Sequence, residues 1–129
     1  MKAIYLDNAA TTKIDLEVLE LMHSSMQENF GNPSSTHQFG RKAKSAVETA
    51  RKNIAKHFNV SASEIVFTAG GTEADNLILN NAVLNLGVQR IITSKIEHHA
   101  VLHTCEFLEK THSVRLDFIN VDKLGNIDV

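Results

Sequence analysis

Two short polar segments of this chain bring together residue types that do chemistry: Ala69-Gly70-Gly71-Thr72-Glu73 and Ser94-Lys95-Ile96-Glu97-His98-His99. In the first, paired glycines precede a predicted helix start. Glycine lets the backbone approach an anion closely, and the first amides of a helix have no intrahelical acceptor. With the positive end of the helix dipole and the Thr72 hydroxyl, they suit a phosphate. The same residues equally suit a tight turn at Gly70-Gly71 with Thr72 as a helix cap, and taken alone they leave both readings open. In the second segment, His99 and His103 are four apart on a predicted helix, with Glu97 and His98 nearby, which is a spacing at which two imidazoles can share a metal. HExxH is absent and no cysteine pair accompanies them, so the sequence favours ordinary partly exposed histidines and no metal site. Cys105 lies beside Val101 and Leu108 and reads as a small buried hydrophobe, because nothing local supplies the electropositive setting of a nucleophilic thiol.

Other phosphate and nucleotide chemistries lack a signature. Gly70-Gly71-Thr72-Glu73-Ala74 does not have the spacing of GxGxxG, and GxxxxGK[ST] is missing as well. A net charge of −2, 5 % aromatic residues and no Trp argue against a nucleic-acid surface. The opening apolar run Ala3-Ile4-Tyr5-Leu6 stops at Asp7, too short for a membrane span or a signal-peptide core. With 43 % hydrophobic residues in 129, the chain has the apolar content of a globular domain. A lone Cys105 makes no internal disulfide and fits a reducing compartment, so a soluble cytoplasmic protein is expected.

The elements that must position these segments alternate between helix and strand. Leu19, Met22 and Met26 predict a helix over Asp15 to Asn29, broken by Gly31-Asn32-Pro33-Ser34-Ser35. A longer helix runs through Phe39, Ala43, Val47, Ala50, Ile54 and Phe58, its other face charged. Three strands are then predicted, at Glu64–Thr68, Arg90–Ser94 and Ser113–Val121. Between them lie a helix from Thr72 to about Leu86, stopped by Gly87, and a helix after Glu97-His98-His99 to about Lys110. This β-α-β-α-β order predicts an α/β sheet with parallel pairing. Both polar segments then fall at carboxyl ends of strands, where open α/β sheets bind ligands.

Four ordered segments carry a resemblance: Tyr5-Leu6-Asp7-Asn8-Ala9-Ala10-Thr11-Thr12, Phe30-Gly31-Asn32-Pro33-Ser34-Ser35, Phe67-Thr68-Ala69-Gly70-Gly71-Thr72-Glu73-Ala74-Asp75-Asn76 and Glu97-His98-His99-Ala100-Val101. The chain, from about Ala3 to its end, resembles the amino-terminal part of the pyridoxal-phosphate-dependent cysteine desulfurases, within the class V aminotransferase group. The resemblance implies an α/β fold, part of the large cofactor-binding domain of a fold-type I enzyme, with an incomplete sheet in this chain. Residues 1–129 would be the amino-terminal arm plus the first portion of that domain, a single truncated domain. The implied cofactor is pyridoxal 5'-phosphate. Gly71 and Thr72 match the positions that hold its phosphate. His98 matches the histidine that stacks on its ring and serves catalysis. His99 falls at a variable position, and with His103 it is expected on the outer face of its helix, since only one of two adjacent rings should face the site.

The resemblance further implies L-cysteine as substrate, a sulfur-acceptor protein, iron–sulfur cluster assembly as the use of the sulfur, and a homodimer, with no nucleic acid and no membrane. The family's Schiff-base lysine lies in a Ser-x-His-Lys segment that has no match in these 129 residues. The partners of the cofactor nitrogen and substrate, and the persulfide-forming cysteine, have no match either. Neither Lys95 nor Cys105 takes those roles. The strand matching Ile65–Thr68 is separated in the family sheet from the next two by strands of another region, so the chain is expected to be one part of a larger protein and inactive by itself. A non-enzymatic anion-binding or interaction module and a related selenocysteine lyase are the alternatives.

Overall fold

A computed structural model of the chain describes residues 3–127. Two compact units divide it, residues 1–65 and 66–129.

The first unit is helical. Helix α1 (Leu16–Glu28) starts at Asp15, whose carboxylate accepts the Glu17 amide at 2.9 Å. Such a cap satisfies one of the four amides that a helix start leaves without a partner. Helix α2 (Gln38–Phe58) is capped by His37, whose Nδ1 accepts the Gly40 amide at 3.3 Å, and it ends at Asn59 in the left-handed region. The loop between the helices lies hard against the start of α2. A Cβ at Gly31 would sit 2.4 Å from the Phe39 carbonyl oxygen, and one at Gly40 would sit 2.3 Å from that of Ser35. Glycine is required at both places by close approach. Ala43 and Ala55 are buried along α2, while α1 buries none of its residues.

The strand expected at Glu64–Thr68 does not form. Ala62–Glu64 is a single 3₁₀ turn closed by a reciprocal Ser61–Glu64 capping box, and the residues after it join no ladder. Ile65 is extended (φ −93°, ψ 120°), as its β-branched type favours, and its carbonyl accepts from the Arg51 guanidinium. Extended backbone becomes a strand only when another strand pairs with it, and among the described residues this segment is in no ladder. The predicted β-α-β-α-β order is thereby corrected to one βαβ unit preceded by a helix.

That unit is the second half of the chain. Helix α3 (Gly71–Leu84) is followed by β1 (Arg90–Ser94), α4 (His99–His112) and β2 (Arg115–Ile119). The strands pair in parallel, with Arg90 opposite Arg115 and Ser94 opposite Ile119, and α4 makes the crossover between them. Gly87, at φ 70°, occupies the left-handed position that reverses the chain after α3. Ser113, also left-handed at φ 54°, ends α4, so the expected strand from Ser113 to Val121 contracts to five residues. The core of this unit lies under α4, where Ala100, Thr104, Cys105 and Leu108 are buried at successive turns, with Val114 beside them. Among the described residues no helix is long and apolar enough to cross a membrane.

Candidate functional site

Helix α3 begins without a side-chain cap. Its N-cap is Gly70, in extended backbone, and Thr72 is already the second helical residue, so the cap role open to Thr72 from sequence is not the one it plays. The first intrahelical bond runs from the Ala74 amide to the Gly70 carbonyl at 3.1 Å. The amides of Gly71, Thr72 and Glu73 therefore have no acceptor within the helix. Glu73 folds back to accept the Ala69 amide at 2.6 Å, just outside this turn.

Neither glycine of the pair is explained by the chain itself. The left-handed glycines among the described residues are Gly87 and Gly125, so Gly70 and Gly71 make no turn that demands glycine. A Cβ built at either of them would meet no atom within 4 Å, in contrast to the crowding at Gly31 and Gly40. What the missing side chains leave is open space over a helix N-terminus, which carries partial positive charge.

Helix α4 starts at the carboxyl end of β1, with His98 as its N-cap. Nδ1 of His98 accepts the Ala100 amide at 3.1 Å. A nitrogen that accepts carries no proton, so the neutral ring holds its proton on Nε2. His98 and Thr72 border one open cleft of about 530 Å³, together with Asn76, His99, His103 and Thr104. A neighbouring depression of about 500 Å³ lies over residues 69–73 and shares Thr72 and Asn76 with it.

The three sequence-derived site residues Gly71, Thr72 and His98 thus fall around adjoining hollows in one unit. His99 and His103 were expected to turn away. They do share a helix face, their rings stacking at 5.1 Å and 28°, but that face borders the same cleft. The reason is that α4 begins directly after His98, so its first turn, not only its cap, lines the hollow. Among the described residues no group of three or more His, Cys, Asp or Glu side chains is placed to hold a metal. Cys105 is 1 % exposed, and burial first, then the nearby Glu97 charge, push its thiol above the ordinary value. A thiol so held is a poor nucleophile, in keeping with its reading as a packing residue.

Asn76 and Thr104 were not singled out from sequence. Thr104 Oγ1 lies 2.7 Å from Asn76 Oδ1 and 2.8 Å from the Ala100 carbonyl, and Asn76 Nδ2 donates to the Thr72 carbonyl at 2.7 Å. The signal available was modest: a polar Thr104 in the buried series Ala100, Thr104, Leu108, and Asn76 one turn beyond Thr72.

Known proteins are similar to this chain in sequence and fold. The cysteine desulfurase IscS of Dictyoglomus turgidum is 46 % identical over 129 residues, which is 98 % of this chain and 32 % of that protein. A solved NifS-like protein superposes with a TM-score of 0.84 at 39 % identity, covering 94 % of this chain and 34 % of its own. The structure of SspA in complex with cysteine superposes with a TM-score of 0.79 at 36 % identity, over 88 % of this chain and 33 % of that one. The chain thus spans about a third of the length of the relatives it matches. The match to the family model "Aminotransferase class-V" runs from residue 4 to residue 129, and the chain belongs to that family.

Proposed function

We propose that residues 1–129 are the amino-terminal arm and first portion of the large cofactor-binding domain of a pyridoxal-phosphate-dependent cysteine desulfurase. The whole protein would convert L-cysteine to alanine and leave the sulfur on a protein cysteine as a persulfide, for a sulfur-acceptor protein and iron–sulfur cluster assembly. A homodimer and a cytoplasmic setting go with this reading, and the unpaired Cys105 suits the latter.

The observation that carries it is the glycine pair. Gly70 and Gly71 have neither a backbone nor a packing need for glycine, yet they open an uncapped helix N-terminus beside the cleft that His98 borders. A phosphate carried on a flat ring fits these residues. The amides of Gly71 and Thr72 and the Thr72 hydroxyl would hold the phosphate, and His98 would lie against the ring. When bound, pyridoxal phosphate supplies the electron sink for the carbon–sulfur chemistry. The chain's own contribution is binding and orientation. The Ala100 amide fixes the His98 ring and keeps its proton on Nε2, the atom able to donate or relay a proton near neutral pH. The amides at the head of α3 are already aligned before an anion arrives, so little ordering cost falls on binding.

The test is Thr72→Ala in the full-length protein. Loss of one hydrogen bond to a charged group, worth about 1.5–3 kcal/mol, raises the pyridoxal phosphate Kd by roughly ten- to 150-fold. The melting temperature of the cofactor-free protein stays as it was, because no side-chain cap is lost. An unchanged Kd overturns the assignment.

A further inference from the structure

One line of hydrogen bonds connects the two ends of the proposed site. It starts at the Thr72 carbonyl, which accepts from Asn76 Nδ2 at 2.7 Å. Asn76 Oδ1 in turn accepts from Thr104 Oγ1 at 2.7 Å, and the same hydroxyl lies 2.8 Å from the Ala100 carbonyl. The Ala100 amide then donates to His98 Nδ1 at 3.1 Å. Thr72 and Ala100 are each in the first turn of their helix, so the line joins the heads of α3 and α4. Among the described residues, Asn76–Thr104 is the one side-chain hydrogen bond between these helices.

We propose that Asn76 and Thr104 are positioning residues that fix the head of α3 against the head of α4, so that one cofactor meets Thr72 at its phosphate and His98 at its ring together. The proposal rests on the function proposed above and adds to it the pair that sets the geometry. Three features favour this pair over the surrounding apolar contacts. Packed apolar faces of two helices tolerate small slides, whereas a hydrogen bond loses most of its strength once the donor leaves its acceptor's line. Thr104 is 7 % exposed, so water does not readily replace Asn76 as its partner. Of the two acceptors near the Thr104 hydroxyl, the Ala100 carbonyl at 2.8 Å belongs to its own helix, so Asn76 Oδ1 at 2.7 Å is the contact through which the hydroxyl ties α4 to α3. Asn76 is matched to this task because its amide has a donor end for α3 and an acceptor end for α4.

The experiment uses the full-length protein and compares Thr104→Val, which keeps the shape and removes the hydroxyl, with Thr104→Ser, which keeps the hydroxyl. Three quantities are read: the pyridoxal phosphate Kd, the visible circular dichroism band of the bound cofactor, and the melting temperature of the cofactor-free protein. Thr104→Val raises the Kd about tenfold and weakens or shifts the dichroism band, and Thr104→Ser restores both. Asn76→Ala, on the less buried side, gives the same changes, and the double variant is no worse than either single one. A Thr104→Val protein that only melts lower, with Kd and band as in the parent, overturns the proposal by showing plain helix packing. Should Thr104→Val not fold, Asn76→Ala alone decides by the same two readouts. Thr72→Ala and His98→Ala serve as controls. If both bind pyridoxal phosphate like the parent, the cofactor reading fails. If they weaken it and the Thr104 and Asn76 variants do not, the positioning proposal alone fails.

Discussion

His98 is a helix cap before it is anything else, and this shapes what it can do. Its Nδ1 is committed to the Ala100 amide, and that bond selects one ring orientation and one neutral tautomer. Its neighbour His99 has no such tether. It stacks on His103 at 5.1 Å and makes no cap, although it borders the same cleft. On the proposed function, His98→Ala in the full-length protein should therefore shift the absorbance of bound cofactor and cut turnover at least tenfold, while His99→Ala leaves the spectrum in place. The two variants measured side by side decide the matter, and equal effects would withdraw the assignment from His98. Gly71 and Thr72 stand out in the sequence as a glycine pair ahead of a helix start, whereas His98 is separated from His99 there only by the family resemblance. That Gly70 and Gly71 are unforced was not legible, since only built Cβ positions separate an open glycine from a crowded one such as Gly31. Nor was the Asn76–Thr104 bond, which joins residues 28 apart in sequence through helix packing.

At the scale of elements, the βαβ unit illustrates what local pattern specifies and what it does not. Arg90–Ser94 forms where its β-branched run predicts, and α2 spans the periodic stretch that ends at Phe58. Ile65–Thr68 has the same kind of composition and stays outside any sheet, because pairing is a property of two segments and composition a property of one. The parallel register also creates a local problem that a third residue solves. It sets Arg90 directly opposite Arg115, and Asp117, two residues along the same strand face, bridges both at 2.5 and 3.0 Å. The hydrogen bond from Arg90 first, and that from Arg115 with both guanidinium charges after it, hold the Asp117 carboxyl below its ordinary value. A lowered folded-state pKa gives stability that is present above the unfolded value, about 3.9, and lost as pH falls through the folded value. Asp117→Asn should therefore destabilise the full-length protein at pH 7, with the gap to the parent closing as pH drops below about 4. Denaturant midpoints taken at both pH values test this. Added salt should narrow the neutral-pH gap, since the ion pairs stand partly in solvent. A gap that is constant from pH 3 to pH 7 would show that Asp117 acts through packing alone.

For the molecule as a whole, the decisive feature is how much apolar surface stays outside. Leu6 and Leu124 are each 86 % exposed, and Met26, Leu21, Phe58 and Ile92 also face outward. Apolar surface on this scale suits contact with further protein, and a two-stranded sheet is marginal without additional strands or helices over it. The same incompleteness holds for the chemistry. The cleft is lined by threonine, asparagine and histidine, with Ala100 and Phe107, and among these residues there is neither an amine to form an imine nor a thiol to accept sulfur. Lys95 is turned to the Phe118 ring, 5.9 Å from its centroid, and Cys105 is buried. Binding and orientation, the part proposed for this chain, do not replace a positioned nucleophile. The 129-residue chain expressed alone, with pyridoxal phosphate and L-cysteine, should accordingly release alanine and sulfide no faster than a control without protein. Alanine formation above that control would mean that a residue within the chain supplies the missing group, and Lys95 and Cys105 would be the first to replace. Mixing the chain with a separately expressed remainder of the proposed full-length protein should restore turnover in proportion to the complex formed, because that remainder would supply both the missing nucleophiles and the cover over the two-stranded sheet.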